Sequence, residues 1–600
     1  MPKNETKTRE ELSRKLLNKL SATDKKPNQV FSLARLPLFH FFHRLWHIIF
    51  IIPILPFVSG FHFILILRRI FSSKPVFRTE NCYGKKGNLI TVKYFNTSTF
   101  SNLALFYYVV SGKLNLIGYS MNTQREIGDA FIYDYAPGAI NLWYIRSASR
   151  TAYEGIKETD KEFVSNLLLK AELNPSLISF IRLVKAEFLL FIRFLVARAF
   201  RSLQKVKYLP HLIDPIFLFN TRLRNVSMQQ TLEQIKNTIN NRDYLSSTPT
   251  RRKIYFVNPD CFNKTFAQAN ADYRKILTES SPSDWIFADG IGINIAVDML
   301  GYPKNENING TDLLPRLVEL AAENNFSLFL LGAREGIADK MKESLTSTYP
   351  ELNIKGVQHG YFNWETESAG IVERINALKV DILLVAFGAP YQERWLEKWF
   401  PHLNCSIAIG VGGLFDFYSG RIKRAPRWLR DIGLEWVYRL LMEPRRMFHR
   451  YIIGNPLFLS RVKHIQKTAA WLTSKIKKAS KKHDLQIIDF SQLGIIKERH
   501  TALVDIFPLM ADFCVQRQIP VCLLADSEAD ARKCNRNLSL IFPELMFLPK
   551  MPAEKNIFCL IISSSLNNPE MEILKTENYH AICLIDKRFI SEFKQITILD

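Results

Sequence analysis

The sequence predicts an α/β protein built on a parallel sheet, and three observations lead there. Between residues 250 and 465 short β-type runs recur: IYFVN, WIFADG, FSLFLLG, DILLVAFG and SIAIGVGG. Helical stretches with charged faces separate them, such as DLLPRLVELAAENN and GIADKMKESLTSTY. Repeated strand–helix units of this kind form a parallel sheet covered on both faces. Four of the strands run into glycine turns, at Asp289-Gly290, Gly332-Ala333-Arg334, Gly388-Ala389-Pro390 and Gly412-Gly413. Parallel sheets bind ligands beyond the carboxyl ends of their strands, and such turns let backbone amides approach a phosphate. None of the four is a GxGxxG or a P-loop, so on pattern alone nucleotide binding stays generic.

A chain of 600 residues exceeds one ordinary core and implies three or four domains. Hydrophobic residues at 47% and charged residues at 23% place it among globular proteins. The formal net charge of +23 calls for an anionic partner: nucleic acid, a membrane surface or a phosphate-bearing substrate. No nucleic-acid recognition motif accompanies the charge, so no nucleic-acid partner is expected. The eight cysteines form no CxxC pair and have few histidines near them, which speaks against a zinc site and a disulfide framework.

In chain order, residues 1–30 are polar and read as a disordered arm without a secretory signal. From Leu45 to Leu67 no side chain is formally charged, a run long enough to cross about 30 Å of hydrocarbon. Pro53, Pro56 and Gly60 interrupt it, and Arg44, Arg68 and Arg69 flank it. Two readings follow, a kinked spanning helix or a re-entrant hairpin; basic residues at both ends favour the hairpin. The hairpin, the stretch KPVFRTENCYGKKGNLITVKYFNT, SGKLNLIGYS and the YAPGAINLW run resemble the polyprenol-phosphate phosphoglycosyltransferases of the bacterial sugar-transferase family. That family's Asp-Glu pair falls at Ser101 and Asn102, its Gly-Pro-Arg-Pro stretch at Gly118, Tyr119, Ser120 and Met121, and an expected arginine at Asn96. Serine and asparagine cannot replace a carboxylate nucleophile or metal ligand. Residues 31–225 are therefore expected to be a membrane-anchoring relative without phosphoglycosyltransferase activity. Within them, LISFIRLVKAEFLLFIRFLVARAFRSL has helical apolar spacing interleaved with arginines. It reads as a cationic surface helix on a membrane or as a core helix with solvated arginines.

Residues 255–460 resemble the WecG/TagA/CpsF glycosyltransferase family. The matching stretches, in order, are YFVNPDCFNKTFAQAN, FADGIGINIA, INGTDLLPRL, FLLGAREG, QHGYF, AFGAPYQERW, GVGGLFDFYSGRIKRAPRWLR and GLEWVYRLLMEPRRMFHRYIIGNP. The resemblance implies a Rossmann-like parallel-sheet glycosyltransferase domain over residues 230–465. It implies an inverting transfer from a UDP-sugar, N-acetylmannosamine or a related sugar, to a polyprenyl-diphosphate-linked acceptor, with no metal or other cofactor.

The residues carry that reading as follows. Asp289 ends a strand before a glycine; a carboxylate there accepts a proton from an attacking hydroxyl, or else caps the next helix. The family's base falls on Asp289. Asn258 matches an asparagine expected to contact the donor, while Phe256 stands where some members have threonine. Thr311 and Asp312 match a helix-start pair near the sugar, which capping explains equally. Gln392 matches a glutamine near the active site, with a loop hydrogen bond as the alternative. From Arg421 to Arg450 the chain is rich in arginine, and arginine pairs bidentately with diphosphate and lies well on anionic headgroups. Arg439 and Arg446 match arginines that meet UDP or the lipid diphosphate. Arg421, Arg424, Arg445 and Arg450 are expected to face the membrane or the diphosphate.

After a Lys-rich linker, TSKIKKASKKHD, residues 483–600 show the strands LQIIDFSQL, PVCLLAD, IFCLIIS and AICLID and read as a small α/β domain. Their strand–helix–strand order resembles STAS-type regulatory domains. The whole is expected at the cytoplasmic face of the bacterial inner membrane, in surface-polysaccharide synthesis, with polysaccharide-assembly proteins as partners. The competing readings are a bifunctional enzyme that also loads the first sugar phosphate, and a non-catalytic scaffold of an assembly complex.

Overall fold

The computed structural model describes residues 45–49, 51–70, 75–83, 89–96, 101–121, 137–149, 151, 156, 159–160, 162–163, 184–195, 209, 212–241, 251–480, 486–489, 503–525, 527–548, 559–563, 581–585, 589 and 597–599. The arm at 1–30, Arg44 and the linker end at 481–485 lie outside these residues. Two compact units emerge: residues 1–205 with 427–434, and residues 206–426 with 435–600.

In the first unit the uncharged run is not one helix. A turn at residues 52–54, centred on Pro53, separates the helical residues 45–49 and 51 from α1 (Leu55–Ile70). Proline removes a backbone donor and disfavours helix in the residue before it, so the break follows from the sequence. Among the described residues no helix is long and apolar enough to cross a membrane. Beyond α1, β1 (Phe77–Tyr83) and β2 (Leu89–Phe95) pair antiparallel, and β3 (Asn115–Ile117) pairs parallel with β4 (Gly138–Ile140). The unit's core holds a buried guanidinium. Arg146, 1% exposed, donates two 2.9 Å hydrogen bonds to the Glu162 carboxylate and one of 2.9 Å to Asp431. A charge so buried is tolerated only when its donors are paired, as here.

The second unit opens with short pieces, β5 (Leu212–Asp214), β6 (Ile216–Leu218) and β7 (Thr221–Leu223). The sequence reading placed these in the membrane-anchoring region. Instead Ile216, Phe217, Leu218 and Phe219 lie in this unit's core, at 2% exposure or less. After α2 (Met228–Asn240) come β8 (Arg252–Val257), α3 (Pro259–Thr265), β9 (Trp285–Ala288), α4 (Ile291–Met299) and α5 (Gly310–Glu323). Then follow β10 (Ser327–Gly332), β11 (Asn353–Gln358), β12 (Ile382–Ala386), α6 (Tyr391–Trp399), β13 (Ile407–Gly410) and α7 (Leu414–Tyr418). Strands β8 to β13 form a six-stranded sheet in the order β11-β10-β12-β13-β8-β9, parallel throughout.

Both faces of this sheet are buried, which is why its strands read as continuous apolar runs. Side chains alternate between two cores with the two-residue period of a strand. Tyr255, Val257, Phe329, Leu331, Leu383, Val385 and Ala408 enter one; Ile254, Phe256, Leu328, Leu330, Ile382, Leu384 and Ile409 enter the other.

The chain continues through α8 (Glu435–Met442), α9 (Pro444–Phe448) and a π turn at His449–Gly454 into α10 (Asn455–Ala479). Thus residues 473–479, expected as linker, end a 25-residue helix. Leu472, Ile476 and Ala479 point into the core at helical spacing while lysines occupy the other face. Against the same core packs a second parallel sheet with α11 (Leu503–Gln516) and α12 (Glu528–Ile541). Its strands are β14 (Gln486–Asp489), β15 (Val521–Leu524), β16 (Phe547–Leu548), β17 (Cys559–Ser563) and β18 (Ala581–Ile585), in the order β14-β18-β17-β15-β16. A last strand, β19 (Thr597–Leu599), returns to pair antiparallel with β5.

Candidate active site

A cavity of about 390 Å³ opens at the carboxyl ends of β8, β9, β12 and β13. It is closed on one side by residues of α8, α9 and the π turn. Of the sequence-predicted residues, Asn258, Asp289, Thr311, Gln392, Arg439, Arg446 and Arg450 line it together. Asp312, Arg421, Arg424 and Arg445 do not.

Asp289 follows β9, and its backbone N–H donates to Val257 O at 2.7 Å, fixing it beside the end of β8. The next helix, α4, is capped by Gly290 at φ 86° with no side-chain cap bond. The capping alternative for Asp289 therefore does not apply. Burial pushes its carboxyl above the usual carboxylate range; Arg450, Arg439 and Arg424 oppose that shift, and Asp312 adds to it.

Asn258 spends its side-chain oxygen on the start of α3, accepting from the N–H groups of Asp260 and Cys261 at 3.1 and 3.2 Å. Its amide nitrogen is the part left for a ligand. Gln392 is buried, and its oxygen accepts from Gly388 N at 3.2 Å and Gly412 N at 2.8 Å. One side chain thereby ties the turn after β12 to the turn after β13. A Cβ on Gly410 would lie 2.9 Å from the Gln392 amide, so glycine is what lets it in. The loop-bond alternative for Gln392 describes its contacts.

Asp312 and Arg424 pair with each other and do not line the cavity. The cap of α5 is Asn309, whose oxygen accepts from Asp312 N at 3.0 Å and whose amide donates to the Asp312 carboxylate at 2.7 Å. The other carboxylate oxygen takes the Arg424 guanidinium at 2.6 Å. Glu435 lies 3.6 Å from Arg424 on its other side, and these two carboxylates hold the guanidinium's proton affinity up against burial. A desolvated guanidinium needs a carboxylate, and Asp312 supplies it. Thr311 lines the cavity, while its carbonyl accepts from the Tyr418 hydroxyl at 3.1 Å. Arg421 pairs with Asp416 at 2.7 Å, and Arg445 is exposed outside the cavity.

Sequence reasoning missed several groups. Lys264, on α3, lines the cavity, donates to Ala389 O at 2.9 Å and lies 3.0 Å from Asp260. Its i,i+4 spacing from Asp260 on the first helix was the available signal. His449 also lines the cavity, hidden in the sequence within the arginine run. Glu393 is fully buried beneath, where burial pushes its carboxyl up to about 7 against the hydrogen bond from Gln392. Among the described residues the cavity lining thus holds the cations Lys264, Arg439, Arg446 and Arg450 and the carboxylates of Asp260 and Asp289, and Arg446 donates to Glu443 at 3.2 Å. The Arg439 guanidinium lies over the Phe417 ring, 5.1 Å from its centroid, and its buried Nε has no hydrogen-bond partner among the described residues. The excess of cations suits a polyanionic group such as a diphosphate. No group of three or more His, Cys, Asp or Glu side chains able to hold a metal ion occurs among the described residues.

The chain's resemblances agree with this geometry. Residues 216–470 match the model of the glycosyl transferase WecG/TagA/CpsF family. Over 255 residues the chain is 30% identical to the N-acetylglucosaminyldiphosphoundecaprenol N-acetyl-beta-D-mannosaminyltransferase of Staphylococcus aureus strain MW2, covering 42% of this chain and 92% of that protein. The protein of the same name from strain NCTC 8325 / PS 47 is 29% identical over an equal length. A match that spans nearly the whole relative, over the segment whose strand ends build the cavity, places the chain in the glycosyl transferase WecG/TagA/CpsF family, and it is a glycosyltransferase.

Proposed function

We propose that this enzyme moves an N-acetylmannosamine-type sugar from a UDP-sugar to a polyprenyl-diphosphate-linked acceptor, with inversion, at the cytoplasmic face of a bacterial membrane. The observation that carries the reading is the Asp289 carboxylate, at the end of a strand in a cavity walled by Arg439, Arg446 and Arg450. The acceptor hydroxyl attacks the anomeric carbon and gives its proton to Asp289. The bond from that carbon to the diphosphate oxygen breaks, and UDP leaves with the electron pair. Arginines aimed at the diphosphate stabilise the charge that develops there. A single displacement inverts the anomeric centre. The transferred sugar and the acceptor follow the names of the Staphylococcus aureus relatives, and the UDP carrier and the inversion follow the family resemblance.

Membrane association is supported by the surface of α8, α9 and the π turn. Leu441 is 74% exposed, with Met442, Phe448, Ile452 and Ile453 also exposed beside the arginines of the same segment. Apolar side chains among cations suit an anionic lipid surface. In the first unit α1 exposes Phe57, Phe63 and Ile64, and the helical residues 184–195 expose Phe188, Leu189 and Ile192. A buried His47–Glu187 contact of 3.2 Å ties residues 184–195 to the helical residues 45–49 that precede α1. With Ser101 and Asn102 in place of carboxylates, this unit serves as an anchor without phosphoglycosyltransferase activity.

The test is UDP release from a panel of UDP-sugars by membranes containing the full chain, with and without polyprenyl-diphosphate-N-acetylglucosamine. Acceptor-dependent release from one donor is expected. No release from any donor by the folded chain would overturn the proposal and favour a scaffold.

A further inference from the structure

The Gln392 side chain joins the turn after β12 to the turn after β13, and it does so from a buried position. Its oxygen is filled by the N–H groups of Gly388 and Gly412, at 3.2 and 2.8 Å. Its nitrogen lies over β13, where a Cβ on Gly410 would come within 2.9 Å of it. At 3% exposure that nitrogen depends on an acceptor from the protein. The acceptor is Glu393, the next residue of α6, whose Oε1 takes the amide at 2.9 Å. Glu393 is fully buried, and its other oxygen, Oε2, has no hydrogen-bond partner among the described residues. Such a carboxyl is costly to bury, and burial pushes it up to about 7. What the chain gains at this position is the one bond that Glu393 makes to Gln392.

From these contacts we infer that Glu393 is a positioning residue, which through Gln392 holds the two glycine turns in the shape that takes the sugar nucleotide. The inference rests on the reading of this cavity as the sugar-nucleotide site with Asp289 as its base. Gly388, Ala389, Gly412 and Gly413 line the cavity from these turns. Gly388 at φ 78° and Gly412 at φ 56° lie beyond the ends of their strands, in the left-handed region. The sheet's ladder does not hold them there; Gln392 does. Without an acceptor for its nitrogen, the amide would leave its buried place, and both N–H groups would lose their partner together. The base stands apart from this tie. Asp289 follows β9, which β13 and β8 separate from β12, and it is fixed by its own bond to Val257 O. Loss of Glu393 thus weakens nucleotide binding and spares the chemical step.

The experiment measures UDP affinity of the full chain by calorimetry, with kcat and KM for the sugar nucleotide. The variants are Glu393→Leu, Glu393→Gln, Glu393→Asp, and Gln392→Ala alone and combined with Glu393→Leu. Leucine keeps the bulk and removes the acceptor. It should weaken UDP binding and raise KM by about tenfold, with kcat within about threefold of wild type. Glutamine offers a carbonyl oxygen without the charge and should restore both constants to within about twofold. In the Gln392→Ala background, Glu393→Leu should add less than about twofold, because its effect passes through Gln392. Aspartate, one methylene shorter, withdraws the acceptor with the least change in volume. It should shift KM in the same direction as leucine, and it decides the question where leucine fails to fold. Unchanged UDP affinity in the leucine and aspartate variants, no rescue by glutamine, an equal loss in both backgrounds, or lost activity with KM unmoved overturns the inference. Arg439→Ala, run alongside, separates the two failures. If it weakens UDP and the Glu393 variants do not, this inference alone falls; if wild type binds no UDP, the reading of the cavity falls and this inference with it.

Discussion

The second unit contains two parallel sheets made by the same rules, and a cavity with charged walls is found at one of them. Strands β8 to β13 and strands β14 to β18 form parallel sheets whose central strands are buried on both faces. The strands of the first sheet run into Asn258, Asp289, Gly388 and Gly412, which meet around a common opening. In the second, the central strands β15, β17 and β18 carry apolar and thiol side chains, with Cys522, Cys559 and Cys583 fully buried. Burial pushes the Cys559 and Cys583 thiols up to about 12, leaving them as packing groups. A shared architecture thus says little about chemistry; the residues just past the strands decide it.

Substitutions sharpen the contrast. The largest effect is expected for Asp289→Asn, a drop in kcat of about 10²–10⁴-fold, the usual share of a general base, with an unchanged melting temperature. Steady-state kinetics beside a thermal melt would show it, and wild-type turnover would break the contrast. Next, Arg439→Ala should raise the KM for the sugar nucleotide by about 10–100-fold, as expected for losing a charge-assisted hydrogen bond. In the second sheet Ile562→Ala should do the reverse. It should cost about 2–5 kcal/mol of stability by opening a cavity at a fully buried site, while turnover per folded molecule holds. Chemical denaturation with activity normalised to folded protein measures both.

The smallest effect is a pH-dependent one beneath the site. Glu393 has a folded pKa of about 7, raised from 4.5. A carboxyl raised on folding costs nothing below its unfolded value and destabilises progressively as pH rises from there through its folded value. Glu393→Gln should therefore raise the melting temperature at pH 8 and barely change it at about pH 4, below the unfolded value. A pH-independent shift would mean that packing, not charge, sets the cost.

Much of the first sheet was legible because double burial writes strands as unbroken apolar runs, and glycine turns mark their ends. Asp289 and the arginines stood out by position and charge. The pairing of Asp312 with Arg424 was not legible, because a sequence shows that charges exist and not which of them meet. The boundary at residue 225 misled too: the apolar IFLF run at 216–219 reads equally as membrane-proximal or as core. Likewise TSKIKKASK reads as a linker by its lysines, and only the spacing of Leu472, Ile476 and Ala479 betrays the helix.

The π turn at His449–Gly454 has a consequence for how this segment tolerates change. A π turn spends one residue more than an α turn, about 100° of helical phase. Upstream of it Arg446 faces the cavity, and downstream Phe458, Val462 and Ile465 face the core. The phase offset between those two faces is stored in the length of the chain. Substitutions between Arg446 and Phe458 alter one contact each, whereas the gain or loss of a single residue there re-aims every arginine on one side or every core residue on the other.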